Sequence, residues 1–336
     1  MKILITGVAG FVGSSIAKLL NADGHEIHGI DNFSRVGSYH NRAILMKLGI
    51  NVYFGDIRNQ SDLNFNIKFD WVIDAAAIPS VMAGVDGQFS SRQLLESNLN
   101  GTINILEFCA KNGSGLILLS TSRVYSISEL IDLKYTTDNN AFKLNSFGQG
   151  FSPDGISEKF STQSPISLYG STKLSSELIA QEYGLAYNFP VIINRCGVLA
   201  GGGQFGKPDQ GIFSYWVYSW YLKKKLRYIG FNASGYQVRD CLHPYDLKNL
   251  LTLQMASPSY EIYNVGGGLN NSISLYNLSN WCSNNIHEHF VDLDFSERKF
   301  DIPYMIMDNS KVNRDYGWEP KFGINDILCE IFEFIQ

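Results

Sequence analysis

The segment KILITGVAGFVGSS (2–15) places the tightest constraint on how this 336-residue chain can fold. An apolar run at 2–6 reads as a strand, and the stretch from Val12 reads as a helix with Ile16, Leu19 and Leu20 on one side. Gly7, Gly10 and Gly13 fall between the two. Three glycines at that junction permit a tight turn and let a pyrophosphate approach the backbone closely. They also leave the helix amino terminus, whose free amides attract anions, uncovered. The spacing is common by itself; its place between a strand and a helix selects a dinucleotide-binding turn.

The same alternation continues downstream. Short apolar runs at 26–30, 51–54, 71–75, 116–120 and 190–194 read as strands, and the stretches between them carry helical periodicity, as with Leu99, Ile103, Leu106 and Ala110. Strands separated by helices imply βαβ units and a parallel sheet covered on both faces. The expected fold is therefore α/β, a Rossmann-type doubly wound sheet with a smaller mixed α/β substrate lobe towards the carboxyl terminus. We expect residues 1–195 and about 229–262 in the nucleotide-binding domain, with about 196–228 and 263–336 in the lobe. Residues 126–168 lose the pattern in a polar stretch rich in Ser, Asn, Asp and Gly, expected to be a functional loop or disordered.

Composition narrows the partners. A net charge of −5 gives no overall attraction for nucleic acid or anionic lipid. The basic run LKKKLR (222–227) follows the aromatic run GIFSYWVYSWY and reads as the solvated end of an amphipathic helix. No stretch reaches the about 20 apolar residues needed to span a bilayer. The chain starts directly in a strand and shows no secretory signal pattern, which points to the cytoplasm. Cys109, Cys196, Cys241, Cys282 and Cys329 are widely spaced with no CxxC pair, so neither a disulfide framework nor a metal site is expected.

Asp31 ends the second strand about 20 residues beyond the glycines, where a carboxylate can accept hydrogen bonds from the adenosine ribose. Its charge would repel a 2′-phosphate and favours NAD over NADP, although Arg35 nearby could accommodate that phosphate. Asp56 after the third strand suits the adenine edge, or is a turn residue. Further on, Tyr169 and Lys173 are four residues apart on one face of a helical stretch. A phenol ionises near pH 10, so a tyrosine base needs its anion stabilised. Lowering that value by about three units takes about 4 kcal/mol, within reach of a neighbouring ammonium and a positive nicotinamide ring in a partly desolvated cleft. Thr121, at the end of the strand in GLILLSTSRVYS, can orient a substrate alcohol towards Tyr169, while Ser120 and Ser122 satisfy the strand end.

In that order, Gly7-Gly10-Gly13, Asp31, Thr121 and the Tyr169/Lys173 pair resemble the extended short-chain dehydrogenases/reductases, in the branch of nucleotide-sugar epimerases and dehydratases. The resemblance covers essentially the whole chain, including INRCGVLAG (193–201), QVRDCLHPYDL (237–247), YNVGGG (263–268) and GWEP (317–320). It implies a tightly bound NAD that is regenerated in each turnover, a nucleotide-diphosphate sugar as substrate, and a homodimer or homotetramer. The cofactor would lie against Gly7, Gly10, Phe11, Val12, Gly13, Asp31, Asn32, Ser34, Arg35, Asp56, Ile57, Ala75, Ala76, Ala77 and Asn98, besides Tyr169 and Lys173. Arg239 would grip the diphosphate, as a guanidinium fork matches phosphate oxygens, and Asp240 and His243 would support that strand end.

More narrowly, DNFSRVGS (31–38), STSRVYS (120–126) and GGGQFGKPDQGIFSYW (201–216) resemble the group that inverts C2 of CDP-sugars such as CDP-paratose. This group places Gln204, Phe205, Asp209 and Gln210 around the sugar nucleotide, with Arg123, Asn194 and Arg298. Asp74 stands where many relatives carry His, Ser126 where many carry Gly, and the segment around Pro303 lacks an arginine, for which Arg298 is the substitute. A 4,6-dehydratase would need a carboxyl acid/base pair immediately after Thr121. Ser122 and Arg123 occupy that place, which argues for an epimerase. Inversion at C4 of a UDP- or CDP-hexose is the alternative, and a non-catalytic NAD-binding protein would be expected to have lost the Tyr/Lys pair.

Overall fold

The computed structural model describes residues 1–336, which divide into two units: Met1–Thr121, Leu168–Arg195 and Pro244–Tyr263 form the first, and the remaining residues form the second. The first is built on a seven-stranded sheet. Its strands are β1 (Lys2–Thr6), β2 (Glu26–Asp31), β3 (Asn51–Phe54), β4 (Trp71–Asp74), β5 (Gly115–Thr121), β6 (Val191–Cys196) and β7 (Ile262–Val265). Their order across the sheet is β7-β6-β5-β4-β1-β2-β3. β1 runs parallel to β2 and β4, β2 to β3 and β4 to β5. The order reverses direction at β1, the doubly wound arrangement expected from the alternation.

Burial explains why those runs are so apolar. Ile3, Leu4 and Ile5 are fully inaccessible, as a strand covered on both faces requires. The helices of this unit include α1 (Phe11–Ala22), α2 (Ser38–Lys47), α3 (Gly101–Asn112), α4 (Ser167–Tyr187) and α5 (Pro244–Ala256). On one side of the sheet Ile105 and Leu106 of α3 and Ala180 of α4 pack with Leu4, Val72, Leu116 and Ile193. No helix is long and apolar enough to cross a membrane.

The second unit has its own core. Strand Val238–Leu242 is central, antiparallel to Ser272–Ser274 and parallel to both Val198–Leu199 and Tyr304–Met305. Helix Ile212–Tyr221 buries Phe213, Trp216, Val217 and Trp220 at helical spacing against Leu278 and the carboxyl-terminal helix residues Ile327, Leu328 and Ile331. The two indoles are also satisfied internally, Trp216 by Ser279 Oγ and Trp220 by the carbonyl of His287. The cysteines are all free, and burial pushes the thiols of Cys109, Cys241 and Cys282 up.

Three expectations need correction. Residues 122–167 and 229–243 cluster with the second unit, which makes the units nearly equal in length. The polar stretch 126–168 is not disordered but carries secondary structure of its own. It forms a helix, Ile127–Asp132, and two hairpins, Tyr135–Asp138 with Ala141–Leu144 and Phe151–Ser152 with Gly155–Ile156. The first hairpin turns on Asn139 and Asn140, both at positive φ, a conformation that asparagine tolerates. Finally, LKKKLR does not continue a helix. The helix ends at Tyr221, Lys223 turns the chain, and Leu226–Ile229 pairs in parallel with Val291–Asp294, where Lys225 meets Asp292 and Arg227 meets Asp294.

Asp240 is the hub of the second unit. It is fully buried, and its Oδ2 accepts from the backbone N–H of Gly268 at 3.1 Å and of Met307 at 3.2 Å. A Cβ at Gly266 would lie 2.1 Å from that oxygen, so only glycine leaves room. Burial pushes the carboxyl up to about 6, against the opposing effect of the backbone donors. Between 3.8 and about 6 the folded state therefore holds the proton more tightly than the unfolded chain, and this group's contribution falls as pH rises through that window. The unfolding free energy of the wild type relative to Asp240→Asn should shrink between pH 4 and pH 7 in urea titrations. A constant difference would contradict the assignment.

Candidate active site

The glycine turn begins where β1 ends. Gly7 takes φ +60°, and Gly10 N–H donates to its carbonyl at 3.0 Å. A Cβ at Gly13 would sit 2.3 Å from Gly7 O, so helix and turn touch backbone to backbone. α1 starts with Gly10 as N-cap and no side-chain cap, which leaves first-turn amides available to an anion. Phe11 and Val12, half-buried, open that helix. This cradle, which one added carbon would fill, fits the pyrophosphate of a dinucleotide.

Side chains at the other strand ends hold the surrounding loops. Asp31 Oδ2 accepts from Ala9 N–H at 2.9 Å and Oδ1 from Phe33 N–H at 2.7 Å. Burial raises its pKa against those donors. The carboxylate thus ties β2 to the glycine turn and retains lone pairs for a ribose. Asn32 donates to Asp56 and accepts from Ser34 N–H, while Arg35 is half-buried and its carbonyl accepts from Ser38. For Asp56, burial acts upwards, yet hydrogen bonds from Arg58 and Asn32 outweigh it and hold the carboxyl at about 2. Ile57 belongs to the core, packed with Leu63 and Ile105.

After β4, Ala75 and Ala76 N–H both donate to Thr6 Oγ1, which in turn donates to Asp74 Oδ1 at 2.6 Å. Thr102 donates to the other carboxylate oxygen at 3.0 Å. Asp74, noted in the sequence only as a departure, is therefore the buried anchor of the loop that carries Ala75, Ala76 and Ala77. Asn98 clamps the same loop by accepting from Ile78 N–H at 2.8 Å and donating to Ile78 O at 3.1 Å. It lies in a π-turn, Glu96–Asn100, ahead of α3, and its amide also reaches Thr172 on α4. A π-turn displaces the ordinary helix bonds, and here the Asn98 carbonyl accepts from the hydroxyls of Thr102 and Ser176.

Thr121 ends β5, and Tyr169 and Lys173 lie one turn apart on α4; all three are at most 9 % exposed. Tyr169 packs against Ala83 and Leu94. The strand end and the helix are joined through Glu177, which accepts from Ser120 Oγ and from the Arg195 guanidinium, the latter with Nη2–Oε2 at 2.7 Å. Sequence reasoning missed this junction.

The substrate residues divide. Arg123, Arg239 and Arg298 converge on the segment 298–302. Arg123 Nη1 donates to Phe300 O at 3.2 Å, and Arg239 Nη2 donates to Asp301 Oδ1 at 3.1 Å and Ile302 O at 2.8 Å. Arg298, within the segment, donates to Pro208 O at 2.6 Å. Burial works against the Arg239 charge and Asp301 supports it. Phe300 takes φ +59°, a strained backbone for a bulky residue. Phe205 is exposed, and the turn of Asp209 and Gln210 is closed by paired bonds between Lys207 and Gln210.

Two of the expected substrate residues are engaged within the chain. The Asn194 side chain is fully buried and exchanges 2.8 Å hydrogen bonds with Gln254, so its amide serves the core. Gln204 uses both ends of its amide to brace its own loop, to Leu199 O and Ser214 Oγ. His243 lies 2.6 Å from Glu330 and stacks on Phe322.

Residues 3–266 match the NAD dependent epimerase/dehydratase family. The chain belongs to that family. NAD is accordingly its cofactor, and characterised NAD-dependent epimerases are among its relatives. CDP-paratose 2-epimerase of Salmonella typhi is 29 % identical over 99 % of this chain and 99 % of that protein. UDP-glucuronate 4-epimerase of Thermodesulfobacterium geofontis is 28 % identical over 97 % and 93 %. Among solved structures, UDP-glucuronic acid 4-epimerase from Bacillus cereus, in complex with UDP-glucuronic acid and NAD, superposes with a TM-score of 0.79. It is 24 % identical, covering 100 % of this chain and 99 % of that one. For this family member the cradle yields a direct expectation. Gly13→Ala should copurify with at least about tenfold less NAD, read from the cofactor released on denaturation, because the methyl must displace Gly7 O. Wild-type cofactor content would refute the cradle.

Proposed function

We propose that this protein inverts C2 of a CDP-sugar such as CDP-paratose, with Thr121, Tyr169 and Lys173 as the catalytic residues. The observation that carries the reading is the buried Tyr169/Lys173 pair, one helical turn apart on a helix bonded to the strand that ends in Thr121. When bound, NAD supplies a reversible hydride acceptor for the carbinol carbon. Tyr169, as phenolate stabilised by Lys173, takes the hydroxyl proton, and Thr121 shares a hydrogen bond with the same oxygen and fixes its position. The ketosugar turns over, and Tyr169 returns the proton as the hydride adds to the other face, so that charge and atoms balance over the cycle.

The glycine turn, Asp31 and the strand-end loops would hold the cofactor. The convergence of Arg123, Arg239 and Arg298 supports a diphosphate site, since guanidinium groups match phosphate oxygens. Ser122 and Arg123 after Thr121 leave no carboxyl pair for dehydration. Full-length similarity to CDP-paratose 2-epimerase favours inversion at C2. Inversion at C4 of a UDP- or CDP-hexose is the second reading, favoured by the near-equal identity to UDP-glucuronate 4-epimerase.

A panel of CDP- and UDP-sugars followed by NMR in D2O tests both. Loss of signal from CDP-paratose with a new C2 epimer, and no deuterium at the inverted carbon, is the expected result. Deuterium at that carbon would overturn internal hydride return, and turnover of a UDP-hexose alone would select C4. Tyr169→Phe should lower kcat by about 10²–10⁴ while keeping bound NAD.

A further inference from the structure

α4 carries Tyr169 and Lys173, but nothing in a helix alone fixes its height against the end of β5. The structure contains one side-chain link between α4 and the residue preceding Thr121. Glu177, one turn beyond Lys173, is 1 % exposed, and its Oε1 accepts from Ser120 Oγ and from Arg195 Nε. Arg195 adds Nη2–Oε2 at 2.7 Å from β6, the strand next to β5. A carboxylate and a guanidinium so deeply buried are costly to desolvate, and replacing such a pair by apolar groups is often neutral or stabilising. Its geometry therefore points to a role other than stability. The hydroxyl of Ser120 is the part of this clasp that reaches the strand end, at the residue bonded directly to Thr121.

We propose that Ser120, Glu177 and Arg195 are positioning residues that set the separation of Tyr169 from Thr121. The proposal rests on the catalytic reading above. Because Tyr169 and Lys173 ride on the same helix, releasing the clasp shifts both together against Thr121. The base keeps its lysine partner and loses its alignment with the alcohol-orienting hydroxyl. Misplacement by a fraction of an ångström to an ångström lowers the rate steeply without weakening binding to match.

The decisive variant is Ser120→Ala, which leaves the Glu177–Arg195 ion pair whole and so avoids stranding a buried charge. With the full-length enzyme, kcat should fall about tenfold, with KM, NAD content, melting temperature and the pH midpoint of kcat unchanged. Ser120→Thr, which restores the hydroxyl, should recover kcat. A wild-type kcat in Ser120→Ala would overturn the proposal, as would a loss that follows melting temperature or that Ser120→Thr does not restore. Tyr169→Phe measured in parallel separates the two levels. Retained turnover there removes the catalytic reading itself, whereas abolished turnover there with wild-type kcat in Ser120→Ala removes only the clasp.

Discussion

A parallel sheet forces the carboxyl ends of its strands onto one edge, and the first unit depends on that constraint. β1, β2, β4 and β5 end in Thr6, Asp31, Asp74 and Thr121, and the glycine turn and the loop of Ala75 and Ala76 follow the first and third of them. An edge of that kind carries backbone groups that have left the ladder and must find other partners. Here short polar side chains supply them. Thr6 takes two amides from the loop after β4, Asp31 takes one from the glycine turn and one from its own loop, and Asn98 takes both polar groups of Ile78. The loops at this edge are thus held by short polar side chains.

Much of this was legible in the chain because the signals are local. Each sheet strand is a compact apolar run, and the glycines sit in register with the first of them. What escaped is mostly non-local. Glu177 and Arg195 are 18 positions apart and Asp74 and Thr102 are 28 apart, so no spacing rule ties them. Asn194 and Gln204 are hard to assign for a chemical reason, since an amide side chain has the same donors and acceptors whether it meets a sugar or another amide in the core. The hairpins after Ser126 were hidden by their polarity: a turn on Asn139-Asn140 and strands with exposed residues look like loop in a one-dimensional pattern.

The narrower question, which reaction, turns on residues that are legible only against a mechanism. Arg123 says little about folding, but after Thr121 it displaces the acid that dehydration needs. Its guanidinium donates to the carbonyl of Phe300, in the segment that Arg239 also engages and that includes Arg298. Three cations gathered on five residues repel one another unless something anionic joins them. Asp301 meets that need for Arg239.

The two buried carboxylates that organise the units also differ in kind. Glu177 is held by a guanidinium, so its charge is balanced where it lies and its oxygens are free to hold a hydroxyl in place. Asp240 is held through backbone N–H groups, which bring only partial charge, and burial consequently pushes its proton affinity up to about 6. A full counter-charge that bonds both carboxylate oxygens suits a group that joins a helix to a strand end. A group that only gathers turns does not need one. An arginine thus holds the carboxylate on the Tyr169 helix, while backbone N–H groups hold Asp240.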